Sequence, residues 1–212
     1  MNARRSTLGA RVSGRRAGQR FDAEHGVVTE ALIFLGDLDP DAIGPSIEHA
    51  THYEPTPVGE LERLIAHVPF ALERATFVDC GAGMGRALFA AAAYPFRQIV
   101  GVEISPALVA IARDNLAAFP REGLRCRDLR IARGDASAFR FPKGDLVVYL
   151  YNPFDAVLLA RTLAGLARER RDNLALLYHT PVEREVIEAH PAFELHAEEP
   201  FGAVYVGTSE NR

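Results

Sequence analysis

The chain has 212 residues, 48% of them hydrophobic, and a formal net charge of −4, which suits one globular domain with a full core. No apolar run is long enough to cross a bilayer, which excludes a membrane-spanning protein. The two cysteines, Cys80 and Cys126, argue against a disulfide framework. We therefore expect a protein of the reducing cytoplasm with no membrane partner.

The chain begins with a strongly basic segment. Residues 1–20 contain six arginines and no acidic residue, and their Ser- and Gly-rich composition predicts a disordered basic tail. Two alternatives remain open: an arm that contacts nucleic acid or an acidic partner, and an organelle-targeting segment. The other 192 residues carry about −10, which favours neutral or cationic substrates and makes a nucleic-acid partner unlikely.

Residues 21–56 are predicted to form a separate N-terminal lid. They contain a short apolar run, 31–35, among many Asp, Pro and Gly residues, so we expect a short helix and loops. The main domain is expected to span residues 57–212. Thr56-Pro57 predicts a helix start, with Thr56 as N-cap and the proline in the first turn, as Ser105-Pro106 does further on.

From residue 76 onward, β-rich runs alternate with helical patterns, which is typical of a mostly parallel sheet covered by helices on both faces. We predict an α/β fold of the Rossmann-like kind, with seven strands, an antiparallel C-terminal strand and the N-terminal helix-and-loop lid. The predicted strands cover residues 76–80, 98–103, 129–133, 145–151, 174–179, 192–197 and 203–207.

A glycine-rich turn follows the first of these strands, in the stretch Asp79-Cys-Gly-Ala-Gly-Met-Gly-Arg86. Glycines at 81, 83 and 85 allow a tight turn beside a ligand, and the next helix offers free N–H groups. Glu103, 18 residues after Gly85, stands where a carboxylate accepts hydrogen bonds from ribose hydroxyls. The pattern indicates a nucleotide-type pocket.

The two residues at the ends of this stretch indicate the charge of the ligand. Arg86 stands where a dinucleotide fingerprint has its third glycine. Asp79 precedes the turn, and a carboxylate about 4 Å from a pyrophosphate would be repelled by roughly 4 kcal/mol at an effective dielectric near 20. A ligand with an ammonium and a sulfonium suits this carboxylate better, so we interpret the pocket as one for a cation.

These motifs resemble those of a known enzyme family. The stretches 77–86, 101–105 and 134–136 are similar to the successive cofactor motifs of class I S-adenosylmethionine-dependent methyltransferases. Tyr53-Glu-Pro-Thr-Pro57 and Tyr151-Asn-Pro-Phe-Asp155, with Phe21-Asp22 and Gly26-Val-Val-Thr29, resemble motifs of a group of small bacterial methyltransferases. Apart from the two N-terminal motifs, the likeness covers about residues 50 to 155. It implies S-adenosylmethionine as cofactor, with S-adenosylhomocysteine as product.

The resemblance also implies a set of cofactor contacts. Asp79 and the backbone of Gly81, Ala82, Gly83 and Gly85 would hold the methionine part, and Arg86 is included in this group. Glu103 would bind the ribose, while Ile104, Asp135 and Ala136 would surround the adenine. Tyr53 and Thr56 would close over the carboxylate of the methionine part. Asn152 would lie at the rim where the methyl group leaves, and Asn152 and Tyr53 are the residues expected to act in catalysis.

Some of these residues have simpler structural interpretations. Asp135 could cap a turn, and Arg86 could be a first-turn residue paired with a surface acid. Asn152 could merely end its strand, with Pro153 opening the next helix. Ser105 is expected to serve only as a helix cap.

The predicted reaction is in-line transfer of a methyl group to a nitrogen or oxygen of a small molecule or protein side chain. Asn152-Pro-Phe154 is similar to the Asn-Pro-Pro-Tyr loop of nitrogen methyltransferases but lacks one proline. Three alternatives stay open. The first is a protein lysine methyltransferase, because non-SET histone lysine methyltransferases have a loop similar to that of Tyr53 and Thr56 before the glycine motif and an Asn-Phe motif after strand four. The others are an NAD(P)-binding Rossmann oxidoreductase and a non-catalytic cofactor-binding module.

Histidines supply the candidate proton acceptors, because only histidine titrates near neutral pH unaided. The candidates are His49, His52 and His179. The sequence shows no Cys/His cluster with metal-ligand spacing, so no metal site is predicted.

Overall fold

The computed structural model describes residues 17–30, 33–34, 52–169 and 171–208. Its strands are β1 (Ile33–Phe34), β2 (His52–Tyr53), β3 (Thr76–Cys80), β4 (Gln98–Glu103), β5 (Leu129–Arg133), β6 (Leu146–Tyr151), β7 (Leu174–His179), β8 (Phe193–Glu199) and β9 (Gly202–Gly207). Its helices are α1 (17–25), α2 (Val58–Ala66), α3 (Arg86–Ala91), α4 (Pro106–Ala118), α5 (Ala156–Ala167) and α6 (Arg184–Glu188). All seven predicted strands are present, within two residues of the predicted ends.

Seven strands form one twisted sheet in the order β5-β4-β3-β6-β7-β9-β8. All neighbours are parallel except β9, which runs antiparallel to both β7 and β8. The chain order reverses between β3 and β6, so the carboxyl ends of these two central strands flank a crevice where ligands bind in open α/β sheets. The predicted fold class is confirmed.

The sheet is the centre of the core and is covered on both faces. In β6 the continuously apolar run alternates between faces: Leu146, Val148 and Leu150 pack into one cluster with α5, whereas Val147 and Tyr149 pack into another with α2 and α3. A parallel strand buried on both faces needs this unbroken apolar composition.

Of the two predicted helix starts, one is confirmed. Ser105 Oγ accepts a hydrogen bond from the Leu108 N–H at 3.3 Å, with Pro106 in the first turn. The prediction for Thr56-Pro57 was wrong, because Pro57 itself is the N-cap and makes no side-chain cap. The Thr56 side chain points to the sheet instead, where its hydroxyl lies 3.5 Å from the Tyr149 hydroxyl.

The N-terminal region differs from its prediction at one boundary. The basic tail was predicted to extend to residue 20, but residues 17–20 are already helical, because α1 packs against the body of the protein. Residues 1–16 lie outside the described residues, as do most of 31–51. A two-residue antiparallel pairing joins Ile33 to Tyr53 and Phe34 to His52. The lid function of residues 21–56 stays a prediction.

Candidate active site

The glycine turn lies at the carboxyl edge of the sheet, between β3 and α3. Gly81, Gly83 and Gly85 all have positive φ, a conformation that is costly for other residues. The Gly81 and Ala82 amides both donate to the Val102 carbonyl, at 2.8 and 3.0 Å, so the turn folds over the end of β4. A Cβ on Gly81 would lie 2.9 Å from the Cβ of Pro153. The turn therefore touches the loop that follows β6.

Two buried carboxyl groups flank this turn. Asp79 is 3% exposed and Glu103 is 5% exposed. Burial, and secondarily the charge of Glu103, raises the pKa of Asp79 to about 8. Burial also raises the pKa of Glu103, although its backbone hydrogen bonds act in the opposite direction. A ligand that brings positive charge or hydrogen-bond donors would stabilise the ionised form of these two carboxyl groups.

Glu103 also shapes the turn. One carboxylate oxygen accepts from the Gly83 N–H at 2.8 Å, and the other accepts from the Ser105 N–H at 2.8 Å. The glutamate at the end of β4 therefore fixes the backbone of the glycine turn on one side and the start of α4 on the other. Ile104, between Glu103 and Ser105, is partly exposed.

Asp135 and Ala136 lie beyond the end of β5, which is next to β4. Asp135 Oδ1 accepts from the backbone N–H and the hydroxyl of Ser137, both at 2.8 Å, so it does cap the short turn Ala136–Ala138. The Gly134 amide donates to the Glu103 carbonyl at 2.9 Å. This bond places Asp135 beside the end of β4, and its expected adenine contact stays a prediction.

Asn152 occupies the turn after β6 and has a left-handed backbone, with φ of 40°. Its side-chain oxygen accepts from the Tyr178 hydroxyl at 3.4 Å. The next helix starts at Ala156 with Asp155 as its N-cap, so Pro153 does not open it. A strained residue beside a ligand-type turn is a functional candidate.

Thr56, which lies just before α2, contacts the sheet through Tyr149, close to the glycine turn. Its partner Tyr149 is opposite Asp79 in the β3–β6 register, and the Asp79 charge contributes to the raised pKa of that tyrosine, after burial. Sequence reasoning missed Tyr149, because its position in a buried apolar strand looked structural. Tyr53 lies in β2, and its side chain is outside the described residues.

The ends of β6 and β7 hold a polar cluster that the sequence showed only in part. His179 Nε2 lies 2.6 Å from Glu60 Oε2, and its Nδ1 lies 3.0 Å from the Thr180 hydroxyl. The Tyr151 ring meets the histidine ring edge-on at 4.2 Å. Burial lowers the pKa of His179, against the opposing effect of Glu60, and so favours the neutral imidazole.

His179 is the one candidate proton acceptor whose side chain is described, since His49 and His52 fall on residues without described side chains. Glu60 and Thr180 were missed. The exposed Thr180 has a φ of 50°, which is unusual for a β-branched residue. Among the described residues, no group of three or more His, Cys, Asp and Glu side chains could hold a metal ion.

Arg86 is placed differently from the other predicted cofactor contacts. Its side chain is 4% exposed, and its Nε donates to the Thr29 hydroxyl at 2.6 Å. Its Nη1 pairs with Glu30 Oε2 at 2.9 Å and its Nη2 with Asp22 Oδ1 at 3.2 Å. The guanidinium therefore contacts the N-terminal segment. This agrees with the alternative interpretation of Arg86 as a first-turn residue paired with acids, except that the pairing is buried.

Comparisons with known proteins agree with this fold. The sheet order is that of the Rossmann-like fold of class I S-adenosylmethionine-dependent methyltransferases. Residues 78–179, just under half of the chain, match a family model described as a methyltransferase domain. A comparison with curated proteins gave no match.

Solved structures give the same fold. TrmN from Thermus thermophilus aligns with a TM-score of 0.53 and 18% identity over 71% of this chain and 48% of its own. The glycopeptide N-methyltransferase MtfA, complexed with S-adenosylmethionine, gives 0.52 and 15% over 71% and 86%. The mitomycin 7-O-methyltransferase MmcR gives 0.52 and 19% over 72% and 54%. The chain spans about half the length of TrmN and MmcR.

In the described part of the chain, every helix is too short or too polar to cross a membrane.

Proposed function

We propose that the protein binds S-adenosylmethionine at the Asp79–Glu103 edge and transfers its methyl group to a nitrogen or oxygen of a small molecule or protein side chain. The observation that carries the proposal is the pair of buried carboxyl groups that flanks the glycine turn. An anionic pyrophosphate would add negative charge beside these carboxyl groups, whereas an ammonium would favour and neutralise the ionised form of one of them.

When bound, the cofactor supplies an activated methyl group and a neutral leaving group. The residues of this chain then bind, orient and exclude water. Asp79 would accept from the ammonium in its ionised form, and Glu103 would accept from the ribose hydroxyls. The exposed backbone of Gly81, beside Pro153, leaves room for close approach of a ligand.

On the acceptor side, Asn152 would orient the group to be methylated. Its backbone position beside the glycine turn and its hydrogen bond to Tyr178 support this role, because a held amide can position a nitrogen or hydroxyl nucleophile. Tyr53 would contribute from the β2 side.

His179 would receive the proton that the acceptor loses. Tyr151 pairs with His179 across β6 and β7, so the histidine is at the strand end next to Asn152. Glu60 would stabilise the charged ring, while the Thr180 hydroxyl links the ring to the exposed surface. General bases of this kind need an unprotonated ring at working pH, which the lowered pKa of His179 provides.

The charge around the ends of β6 and β7 also favours some methyl acceptors over others. Burial and the Glu54 carboxylate raise the pKa of the Tyr151 hydroxyl, and Glu60 lies on the same side. This negative environment supports a neutral or cationic acceptor, which includes an amine such as a lysine side chain, over a nucleic acid. The buried free thiols of Cys80 and Cys126 support a cytoplasmic setting, and the motif likeness supports a bacterial one.

The first test compares ligands. S-adenosylhomocysteine should raise the melting temperature of the purified protein, and Asp79→Asn should abolish the shift while the exposed matched variant Asp114→Asn keeps it. Stabilisation by NAD or NADP, with none by S-adenosylhomocysteine, would contradict the proposal.

The second test identifies the acceptor. The protein is incubated with methyl-labelled S-adenosylmethionine and fractionated host extract, and the label is followed into metabolites, protein or nucleic acid. We expect label in small molecules or protein. Label confined to nucleic acid would contradict the acceptor class, and cofactor binding without any transfer would indicate a non-catalytic module.

A further inference from the structure

The N-terminal strap, defined as residues 17–30, is joined to the glycine turn by buried polar contacts. The guanidinium of Arg86, the first residue after the turn, makes all of its described hydrogen bonds to the strap. Its partners are the Gly18 carbonyl, Asp22, Thr29 and Glu30, and its charge also lies 5.5 Å from the Phe21 ring. A buried guanidinium is costly without such partners, so the strap has to be docked for this arrangement to be stable.

A second connection comes from Asn115 on α4, which is 4% exposed. Its side-chain amide donates to the Val28 carbonyl at 2.9 Å and to the Met84 carbonyl at 3.0 Å, and its oxygen accepts from the Val28 N–H at 2.9 Å. Met84 is part of the glycine turn. One side chain therefore bridges the strap and the turn directly.

Hydrogen bonds within the strap hold the partners of Arg86 in position. Asp22 accepts from the Thr29 and Glu30 amides, both at 2.7 Å, and from the Thr29 hydroxyl at 2.5 Å. A Cβ on Gly18 would lie 1.6 Å from Glu30 Oε2 and 2.5 Å from Arg86 Nη1, so a larger residue where α1 passes would have to displace the Glu30–Arg86 ion pair.

Apolar contacts fix the same segment from the outer side. Val27 packs with Phe89 and Phe119, and the His25 ring stacks on Phe119 at 5.1 Å. Phe89 lies in α3 directly behind the glycine turn. The strap thus contacts both the turn and the helix that follows it.

We infer that the strap is a working part of the cofactor site: Arg86 and Asn115 are positioning residues that couple strap docking to cofactor binding. The inference rests on the proposed function, because it needs S-adenosylmethionine to bind at the glycine turn. Met84 lies in the turn whose backbone would hold the ligand, and Arg86 directly follows it, so loss of the strap loosens that backbone. By thermodynamic reciprocity, the ligand must then stabilise the docked strap by the same factor.

The test uses the full-length protein and two conservative strap variants, Asp22→Asn and Glu30→Gln. Neither residue belongs to the expected cofactor contacts. Arg130→Gln, which breaks the exposed ion pair with Asp128, is the control. We expect each strap variant to weaken S-adenosylhomocysteine binding by about 5- to 30-fold in calorimetry and to raise the KM for the cofactor. The kcat at saturating cofactor should stay within about twofold, and the control should match the wild type.

Amide hydrogen exchange distinguishes coupling to the ligand from a purely structural role, because a purely structural strap would exchange at the same rate with and without the ligand. The amide of Val28 donates to Asn115 Oδ1 on α4, a hydrogen bond that exists only while the strap is docked. The Thr29 and Glu30 amides donate to Asp22 within the strap. S-adenosylhomocysteine should slow exchange of the Val28 amide in the wild type by about the factor that the variants lose in affinity.

Variants that lower the melting temperature but bind S-adenosylhomocysteine normally would overturn the inference alone. Exchange of the Val28 amide that does not respond to the ligand would do the same. A wild-type protein that binds no S-adenosylhomocysteine would overturn the proposed function and this inference with it.

Discussion

Gly81 and Pro153 are in close contact across the central crevice: a Cβ on the glycine would be 2.9 Å from the Cβ of the proline. This contact joins the turn expected to hold the cofactor to the loop expected to hold the acceptor. Two loops that follow neighbouring strands, β3 and β6, thereby form one site.

Gly81→Ala should damage this junction. The new methyl group must displace Pro153, and φ of +86° adds backbone strain, of order 1–3 kcal/mol. We expect S-adenosylhomocysteine affinity to fall about tenfold or more by calorimetry, with a lower melting temperature. Gly144→Ala is the matched control, because Gly144 has a φ of +85° and a Cβ added there would meet no heavy atom of the described residues within 4 Å. An equal loss of affinity in both variants would show that the Pro153 contact has no role in binding.

Cofactor affinity should depend on pH through Asp79. With a pKa of about 8, this carboxyl group is mostly neutral at pH 7 in the ligand-free protein, and an ammonium ligand requires its ionised form. The affinity for S-adenosylhomocysteine should therefore rise roughly tenfold per pH unit below 8 and level off above it. Calorimetry from pH 6 to 9 measures the slope. Asp79→Asn should bind weakly with no slope, and a wild-type affinity independent of pH would contradict the assignment.

The same group has a calculable effect on the stability of the ligand-free protein. Its pKa in the folded state is above the unfolded value of about 3.9, so the folded state binds the extra proton. Stability contributed by the neutral carboxyl group is lost as pH rises from about 4 through 8. Asp79→Asn should thus unfold at a higher urea concentration than the wild type at pH 8, with little difference at pH 4. A variant less stable at pH 8 would contradict the raised pKa.

Asn152→Ala should separate binding from turnover. The side chain is held by Tyr178 on the side where the acceptor would lie, so S-adenosylhomocysteine affinity should change less than about threefold. Turnover on the acceptor found by label transfer should fall about 10- to 100-fold, because orientation of the acceptor is lost. Full activity in this variant would mean that Asn152 only ends its strand.

His179→Asn should remove the acidic limb of the pH–rate profile and lower kcat by about 100-fold. Glu60→Gln removes the carboxylate that opposes the lowering of the pKa of His179, so the acidic limb should move to lower pH. His190→Asn, at a partly buried histidine outside this cluster, should leave the profile unchanged. Identical acidic limbs in His179→Asn and the wild type would exclude His179 as proton acceptor.

Local patterns in the sequence were enough to predict the elements and the cofactor edge. The alternation of strands and helices predicted all seven strands of the main sheet, and the spacing of Asp79, the glycines and Glu103 predicted which residues meet at the carboxyl edge. Short-range rules of this kind succeed here because they concern residues that follow one another in the chain.

Which distant polar groups meet is visible only in the folded chain. Arg86 and Thr29 are 57 positions apart, and His179 and Glu60 are 119 apart, and no periodicity relates such pairs. Burial also sets the protonation of Asp79, since a pKa is raised by the desolvation that packing imposes. The sequence could show an arginine in place of a glycine, but only the folded chain shows that its charge is neutralised by the N-terminal strap.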